Sequence, residues 1–287
     1  YNVRSPENVA AELKIIKEKY QPDHIWFMDD ILGLKPGWLP RFASLMIENQ
    51  LKTPFKCLSR ADLLLRSGEI QALQAAGCQI VWIGAESGSQ KILDAMEKGI
   101  RVEQIYQTTQ SLHAAGIQVG FFLQFGYPDE TRADIEKTVT MVRECNPDDI
   151  GISVSYPLPG TPFYERVKDQ LGDKQNWVES QDLAMLYHGP FSTEFYRQLH
   201  RVVHKEFRIQ KRRRTLASPS SNRPLFPRTS SIHKIKDTSQ ILFNWLTLPI
   251  EHWRLTRLAR HPHQGLPALP QILSPEMAAA HSPQKDS

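Results

Sequence analysis

Signals for short strands and for amphipathic helices alternate along the first part of the chain, and this alternation constrains the fold more than any other feature. Apolar runs that indicate strands occur at 24–28, 55–58, 79–83, 117–123 and 150–154. Strands connected by helices form parallel sheets, because each helical crossover returns the chain to the same end of the sheet. The pattern therefore predicts an α/β fold with a five-stranded parallel sheet, either open or curled into a partial barrel.

Residues typical of helix ends support this division. Ser5, Pro6 and Glu7 have the order expected at a helix start, namely an N-cap, a first helical residue and an acid in the first turn. Gly116 stands where a helix is expected to end in a left-handed cap. The capping residues therefore indicate the same helix ends as the hydrophobic periodicity.

Polar and small residues follow the predicted strands at several points. Residues 84–89 are Gly-Ala-Glu-Ser-Gly-Ser, and residues 121–131 are Phe-Phe-Leu-Gln-Phe-Gly-Tyr-Pro-Asp-Glu-Thr. Asp29 and Asp30 end the first apolar run, and Arg60 comes shortly after the second. Ligands of parallel α/β proteins bind at the carboxyl ends of the strands, where the loops converge. The sequence therefore predicts an active site on one rim of the sheet.

The composition changes after residue 164 and predicts five regions. Residues 1–164 carry the strand–helix pattern, and 165–215 indicate helices of mixed charge. A basic linker rich in Pro and Ser is predicted for 216–240, and a short apolar and basic helix for 241–260. Residues 261–287 are rich in Pro, His, Ala and Ser, which predicts a disordered tail.

Segment 241–260 contains too many apolar residues for a free tail and too few to span a bilayer. Pro249 interrupts its apolar run. We expect a short helix that docks on the barrel or on a partner, with attachment to a membrane surface as the second alternative.

Charge and cysteine usage argue against other classes of protein. The net charge is +4, and the basic run at 211–214 indicates a solvated helix end, because no aromatic residues interleave with it as in nucleic-acid binding. Cys57, Cys78 and Cys145 are too widely spaced to predict a disulfide framework or a metal site. No signal peptide is visible, so a cytoplasmic location is expected. Because no aromatic residues interleave with the basic run, no nucleic-acid partner is expected.

Several short motifs occur together in a characteristic order. They are Arg-Ser-Pro-Glu-Asn at 4–8, Trp-Phe-Met-Asp-Asp at 26–30, Arg-Ala-Asp at 60–62, Ala-Gly-Cys at 76–78, the segment 84–89, Phe-Gly-Tyr-Pro-Asp-Glu-Thr at 125–131 and Pro-Leu-Pro-Gly-Thr-Pro at 157–162. Over roughly residues 1–210 the chain resembles the radical S-adenosylmethionine superfamily, within it the enzymes that carry a cobalamin-binding domain ahead of the barrel. The resemblance implies a partial (β/α) barrel with a helical C-terminal extension.

The resemblance also implies a [4Fe–4S] cluster, S-adenosylmethionine and cobalamin as cofactors. The family holds its cluster with Cys-x-x-x-Cys-x-x-Cys after the first strand, and this signature is absent here. The first helix matches the one that follows that loop, so we expect a C-terminal fragment that begins inside the barrel without its first strand. The spacing of Cys57, Cys78 and Cys145 cannot replace the signature, so the chain alone is expected to be inactive.

By resemblance, Glu86 accepts hydrogen bonds from the ribose hydroxyls of S-adenosylmethionine; the alternative is an acid that stabilises a helix N-terminus. Asp29 or Asp30 would contact the methionine ammonium, or serve as an N-cap and a turn residue. Arg60 would pair with the methionine carboxylate or with a nearby aspartate.

By resemblance, the end of the fourth strand and the turn after it correspond to a Gly-x-Ile-x-Gly-x-Pro strand that contacts adenine in the family. Phe122 and Gln124 replace its first Gly and its Ile, so Gln124 is expected to hydrogen-bond ligand or substrate. For Gly126, shaping of the turn is preferred over ligand contact. No catalytic residue and no metal ligand are assigned.

The function implied is generation of a 5′-deoxyadenosyl radical for methyl transfer, cyclisation or rearrangement of a small molecule, with a protein as electron donor. Two alternatives stay open. One is a non-catalytic partner-binding protein built on a barrel remnant. The other is a cofactor-independent (β/α) barrel lyase, for which the strand ends show neither a catalytic Lys nor a metal set.

Overall fold

A computed structural model describes residues 2–171, 183–217 and 231–260. Its centre is one parallel sheet whose strands are in sequence order. The strands are β1 (Ile25–Trp26), β2 (Phe55–Ser59), β3 (Cys78–Glu86), β4 (Gln118–Phe125) and β5 (Asp149–Val154). The parallel order and the helices between the strands give a half-barrel, which confirms the predicted partial (β/α) barrel.

Helices connect and follow the strands, and they cover the outer face of the sheet. They are α1 (Pro6–Tyr20), α2 (Trp38–Glu48), α3 (Ala61–Leu64), α4 (Glu69–Ala76), α5 (Gln90–Ala95), α6 (Val102–Ala114), α7 (Arg132–Cys145), α8 (Pro162–Val167), α9 (Thr193–Ala217) and α10 (Ser231–Leu258). The Ser5 side chain caps α1 by accepting from the Asn8 N–H, and Gly116 adopts a φ of 72°, both as predicted.

Side chains alternate between the two faces of the sheet, as strand geometry requires. Phe55 and Cys57 of β2, with Val81 and Ile83 of β3, are fully buried against the outer helices. The residues between them, such as Trp82, are less buried and face the concave inner side. The core therefore lies outside the sheet, and the inner face is left for the site.

Two strands differ in length from the sequence prediction. β1 contains two residues rather than the predicted 24–28, and it pairs with β2 alone. β3 continues past Ile83 to Glu86, because Gly84 and Glu86 still pair with β4 across a register shift. Glu86 is therefore the last residue of a strand and not the first residue of a helix.

A helical C-terminal extension packs on the half-barrel, as predicted. Buried apolar residues of α9 join the main core, and α10 packs against α9. α10 begins at Ser231, within the predicted linker 216–240, and runs through Pro249 without interruption. Part of that linker and the predicted tail 261–287 lie outside the described residues.

Hydropathy along the helices bears on the relation to membranes. Within the described ranges, none of the helices combines the length and the apolar character that a bilayer crossing requires.

Candidate active site

A pocket of about 190 Å³ opens at the rim formed by the carboxyl ends of β2, β3 and β4. It is the place where the sequence predicted an active site. Its lining combines charged groups with two aromatic rings and consists of Asp30, Ile31, Leu58, Ser59, Arg60, Trp82, Gly84, Glu86, Lys98 and Phe122.

Glu86 is the central charged group of this pocket. It has a left-handed φ of 53°, and the register shift in β3 next to it turns the side chain onto the inner face. Its Oε1 accepts a hydrogen bond of 2.6 Å from Lys98 Nζ. Among the described residues no bonded partner is recorded for Oε2. This oxygen can therefore accept from a ligand hydroxyl.

The ion pair of Glu86 and Lys98 occupies space that exists because residue 84 is a glycine. A Cβ at Gly84 would lie 2.7 Å from Glu86 Oε1 and 2.9 Å from Lys98 Nζ. Both distances are shorter than normal contacts, so a larger residue at position 84 would displace the ends of these two side chains from their present positions. Gly84, Glu86 and Lys98 form one packed unit.

The rest of the segment 84–89 attaches the sheet to α7. The buried Ser87 hydroxyl lies 3.1 Å from Thr138 Oγ1, and that oxygen accepts from the Gly88 N–H at 2.9 Å. Ser89 Oγ donates to Asp134 at 2.6 Å. The segment therefore divides into a half that faces the pocket and a half that fixes a helix.

Asp134 is the anchor of this attachment. Burial by itself would raise the pKa of its carboxyl, but hydrogen bonds from Ser89 and Thr131, together with the Lys91 ammonium, hold that pKa well below its usual range. The ionised carboxylate also completes the capping box at the start of α7, because it accepts from the Thr131 N–H at 3.0 Å.

Arg60 lies at the pocket with its guanidinium in structural contacts. It donates to Asp62 at 2.9 Å and 3.3 Å and to the Lys98 carbonyl at 3.1 Å. Of the two predicted partners of the methionine ammonium, Asp30 lines the pocket and is exposed; Asp29 is exposed and is not part of the lining. The structure thus separates the two neighbouring aspartates, which the sequence could not do.

Gln124 and Gly126 do not line this pocket. Gly126, with a φ of 82°, is part of a buried turn. Its N–H donates to Glu130 at 2.7 Å, and its carbonyl accepts from the Tyr187 hydroxyl. The turn-shaping role preferred for Gly126 agrees with this position.

Trp82, Phe122 and Lys98 line the pocket but were not assigned as site residues from the sequence. Trp82 and Phe122 stack with ring centroids 4.7 Å apart, above Gly120 and Gly151, where side chains would collide with the rings or crowd them. Lys98 reaches the pocket from the loop after α5. Strand alternation could have placed Trp82 and Phe122 on the inner face, whereas nothing in the local sequence indicates that Lys98 points back to Glu86.

The cysteines do not fit an iron–sulfur cluster. Cys57 and Cys78 are buried in the outer core with their Sγ atoms 4.0 Å apart, and Cys145 is buried in α7. The hydrogen bond with Cys78 and burial raise the pKa of the Cys57 thiol, and burial raises that of Cys145 to about 12. Thiols that stay protonated are poor metal ligands, and no group of potential ligands among the described residues could hold a metal ion.

The rim pocket lies within the part of the chain that matches a known protein family. Residues 1–142 match the model of the radical SAM superfamily, where SAM is S-adenosylmethionine. This part of the chain, 142 of 287 residues, therefore belongs to the radical SAM superfamily, a family of enzymes. The predicted class is confirmed.

Two curated relatives are methyltransferases by name. An uncharacterized methyltransferase of Pyrococcus horikoshii is 28% identical over 175 residues, which covers 60% of this chain and 38% of the relative. The bacteriochlorophyllide d C-12(1)-methyltransferase of Chlorobaculum tepidum is 26% identical over 221 residues, which covers 74% of this chain and 48% of the relative. The chain thus spans less than half the length of either.

A solved structure shows the same fold over most of the chain. OxsB, a cobalamin-dependent S-adenosylmethionine radical enzyme with aqua-cobalamin bound, aligns with a TM-score of 0.55. The alignment covers 88% of this chain and 42% of OxsB at 15% identity. At this identity the likeness supports the architecture, including the helical extension, and does not extend to individual residues.

Proposed function

We propose that the rim pocket binds S-adenosylmethionine and that Glu86 accepts hydrogen bonds from its ribose hydroxyls. The observation that carries the proposal is the geometry of Glu86, whose carboxylate is held over Gly84 by Lys98 with one oxygen left to accept. A carboxylate has only acceptors to offer, and a ribose diol has two donors, so the two are complementary.

The remaining pocket residues supply complementary chemistry for the other parts of the ligand. The exposed Asp30 carboxylate suits the methionine ammonium. Arg60 already binds Asp62, so it contributes to the methionine carboxylate through the positive potential of the pocket. The stacked rings of Trp82 and Phe122 present an apolar surface on the inner face.

Bound S-adenosylmethionine supplies the activated methionine group on which the superfamily's chemistry depends. This chain's residues bind and orient it: Lys98 fixes the Glu86 rotamer, and Gly84 leaves room for both side chains. Reductive cleavage requires a cluster that Cys57, Cys78 and Cys145 do not fit. The same proposal includes a separate protein that donates the electron for this cleavage.

For the whole protein we propose methyl transfer to a small-molecule substrate with cobalamin as a further cofactor. Two relatives named as methyltransferases support methyl transfer, while a relative named as a cyclase, 25% identical over 175 residues, keeps cyclisation as the second candidate. The fold likeness to cobalamin-bound OxsB bears on the cofactor alone. The cobalamin part of the proposal rests on that likeness and not on residues of this chain.

Calorimetric titration of residues 1–287 with S-adenosylmethionine tests the binding site. We expect Glu86→Gln to weaken binding by about tenfold to a hundredfold, because a hydrogen bond to a charged group contributes roughly 1.5–3 kcal/mol. Glu103→Gln, at an exposed acid on α6, is the matched control. Equal affinity for wild type and Glu86→Gln, with unchanged circular dichroism, would remove Glu86 from the site.

A further inference from the structure

Helix α10 is apolar on two opposite faces, and the residues that the structure describes cover only one of them. Leu248, Leu255 and Leu258 pack toward the core on the side of α9. On this side Glu251 accepts from Gln198 at 2.6 Å and pairs with Lys205 at 2.7 Å, both of which are on α9. α9 therefore covers one apolar face of α10 and binds the Glu251 side chain.

The second face is defined by four residues with helical spacing, which we name the outer face of α10. Its members are Phe243, Leu246, Ile250 and Trp253, which share one side of the helix at steps of three and four residues. Their exposed fractions are 62%, 58%, 54% and 61%. Exposed apolar side chains that are neighbours on one surface are typical of an interaction site, so the outer face is a candidate binding surface.

The charges around the outer face have one sign. Arg254, Arg257 and Arg260 are exposed along the same end of the helix, and the Arg257 guanidinium lies 5.8 Å from the ring centre of Trp253. Glu251 is the only acid between residues 241 and 260, and it points to α9. A positively charged face with aromatic and aliphatic side chains is complementary to an occupant that is both apolar and anionic.

We propose that the outer face of α10 binds the surface of an anionic lipid bilayer, with the helix axis parallel to the membrane plane. Aromatic and aliphatic side chains of such a helix enter the boundary between headgroups and acyl chains, while arginines remain among the anionic headgroups. The outer face is a convex ridge on a single helix. A fluid bilayer adapts to such a ridge, whereas a protein partner would need a matching groove.

Membrane contact by α10 does not depend on ligand binding in the rim pocket. The helix packs on α9 with its first face, whereas the sequence analysis expected docking on the barrel or on a partner, and membrane contact uses the face that remains. The attachment is peripheral, because α9 holds the helix through Thr247, Glu251 and His252.

Vesicle flotation with residues 1–287 tests the proposal. One set of vesicles contains phosphatidylcholine alone, and the other contains equal parts of phosphatidylcholine and phosphatidylglycerol. We expect binding to the anionic set only, weakened by added salt because surface charges are screened. Ile250→Glu should reduce this binding by at least about tenfold, since it removes an inserted side chain and adds a repelled charge.

Two further variants make the test specific. Ile47→Glu, at an equally exposed isoleucine on α2 (59%), should leave binding unchanged. Arg257→Gln should weaken binding by about fivefold at low salt, the effect of one cation near an anionic surface.

Three results would overturn the proposal. They are no flotation with anionic vesicles, equal losses for Ile250→Glu and Ile47→Glu, and a dimer that Ile250→Glu dissociates while vesicle binding is absent. The last result would assign the outer face to a second copy of the chain.

Discussion

Glu130 is fully enclosed beneath the turn that follows β4 and has few hydrogen bonds for a carboxylate. Its Oε2 accepts from the Gly126 N–H, while Oε1 has no partner in the described structure. Burial raises the pKa of this carboxyl to about 8, and Asp134 nearby adds to the effect. At neutral pH the side chain is therefore largely protonated, and it stabilises the turn as a neutral group.

This residue predicts a pH dependence of stability. Its pKa in the folded state (about 8) exceeds the ordinary value of 4.5, so the folded chain binds the additional proton between these pH values. Stability is therefore greatest below about pH 4.5 as far as this group is concerned, and it declines as pH rises toward 8, by at most about 1.4 kcal/mol per pH unit. Glu130→Gln should remove this decline, because the amide stays neutral and can still accept from Gly126.

Urea denaturation of wild type and Glu130→Gln at several pH values from 5 to about 8 measures the difference between the two. Glu18→Gln, at an exposed acid on α1, serves as control and should follow wild type. If the free energies of unfolding of wild type and Glu130→Gln changed in parallel with pH, Glu130 would be ionised in the folded chain.

At the scale of the element, the sequence predicted the order of strands and helices well because each element carries its own periodicity. Its errors occur where a contact with another element decides the boundary. β3 extends to Glu86 because β4 supplies pairing partners for Gly84 and its neighbours, although small residues alone do not favour a strand. α10 passes through Pro249 because its packing against α9 outweighs the cost of one proline.

The contact between α7 and the segment that follows β3 gives the prediction at this scale. A Cβ at Gly88 would collide with the Lys137 carbonyl, which belongs to the backbone of α7 and cannot rotate away. Gly88→Ala should therefore separate α7 from the sheet and lower the free energy of unfolding by about 1–3 kcal/mol, the usual cost of overpacking. Chemical denaturation measures this change. An unchanged midpoint would mean that the helix adjusts without loss of packing.

At the scale of the whole molecule, the rim pocket and the outer face of α10 are built from different parts of the chain. The sequence could predict the rim, and Glu86 on it, because strand ends of a parallel sheet converge whatever the details of the loops. It could not predict Lys98, which pairs with a residue twelve positions earlier only after α5 has folded back. It also could not separate Asp30 from Asp29, since the path of the chain after the short β1 decides which of them lines the pocket.

The placement of the cysteines predicts how residues 1–287 behave alone. After anaerobic reconstitution with iron and sulfide, we expect no stoichiometric [4Fe–4S] cluster and no release of 5′-deoxyadenosine, because Cys57, Cys78 and Cys145 are buried away from the rim. Iron analysis, visible absorbance and product chromatography are the measurements. Cys57→Ala and wild type should give the same low iron content. A full cluster with turnover, lost in Cys57→Ala, would contradict the structural assignment of these thiols.

The packing of Gly84 against Glu86 and Lys98 has a consequence for how this pocket can change over evolutionary time. A methyl group at residue 84 would displace the acid and the lysine from the positions that they now occupy. A substitution at any one of the three positions alone therefore disturbs the ion pair, either by moving its two members or by leaving one charge unpaired. Related sequences that no longer bind this ligand should therefore have lost all three residues together. A glycine at residue 84 is expected where the ion pair is retained.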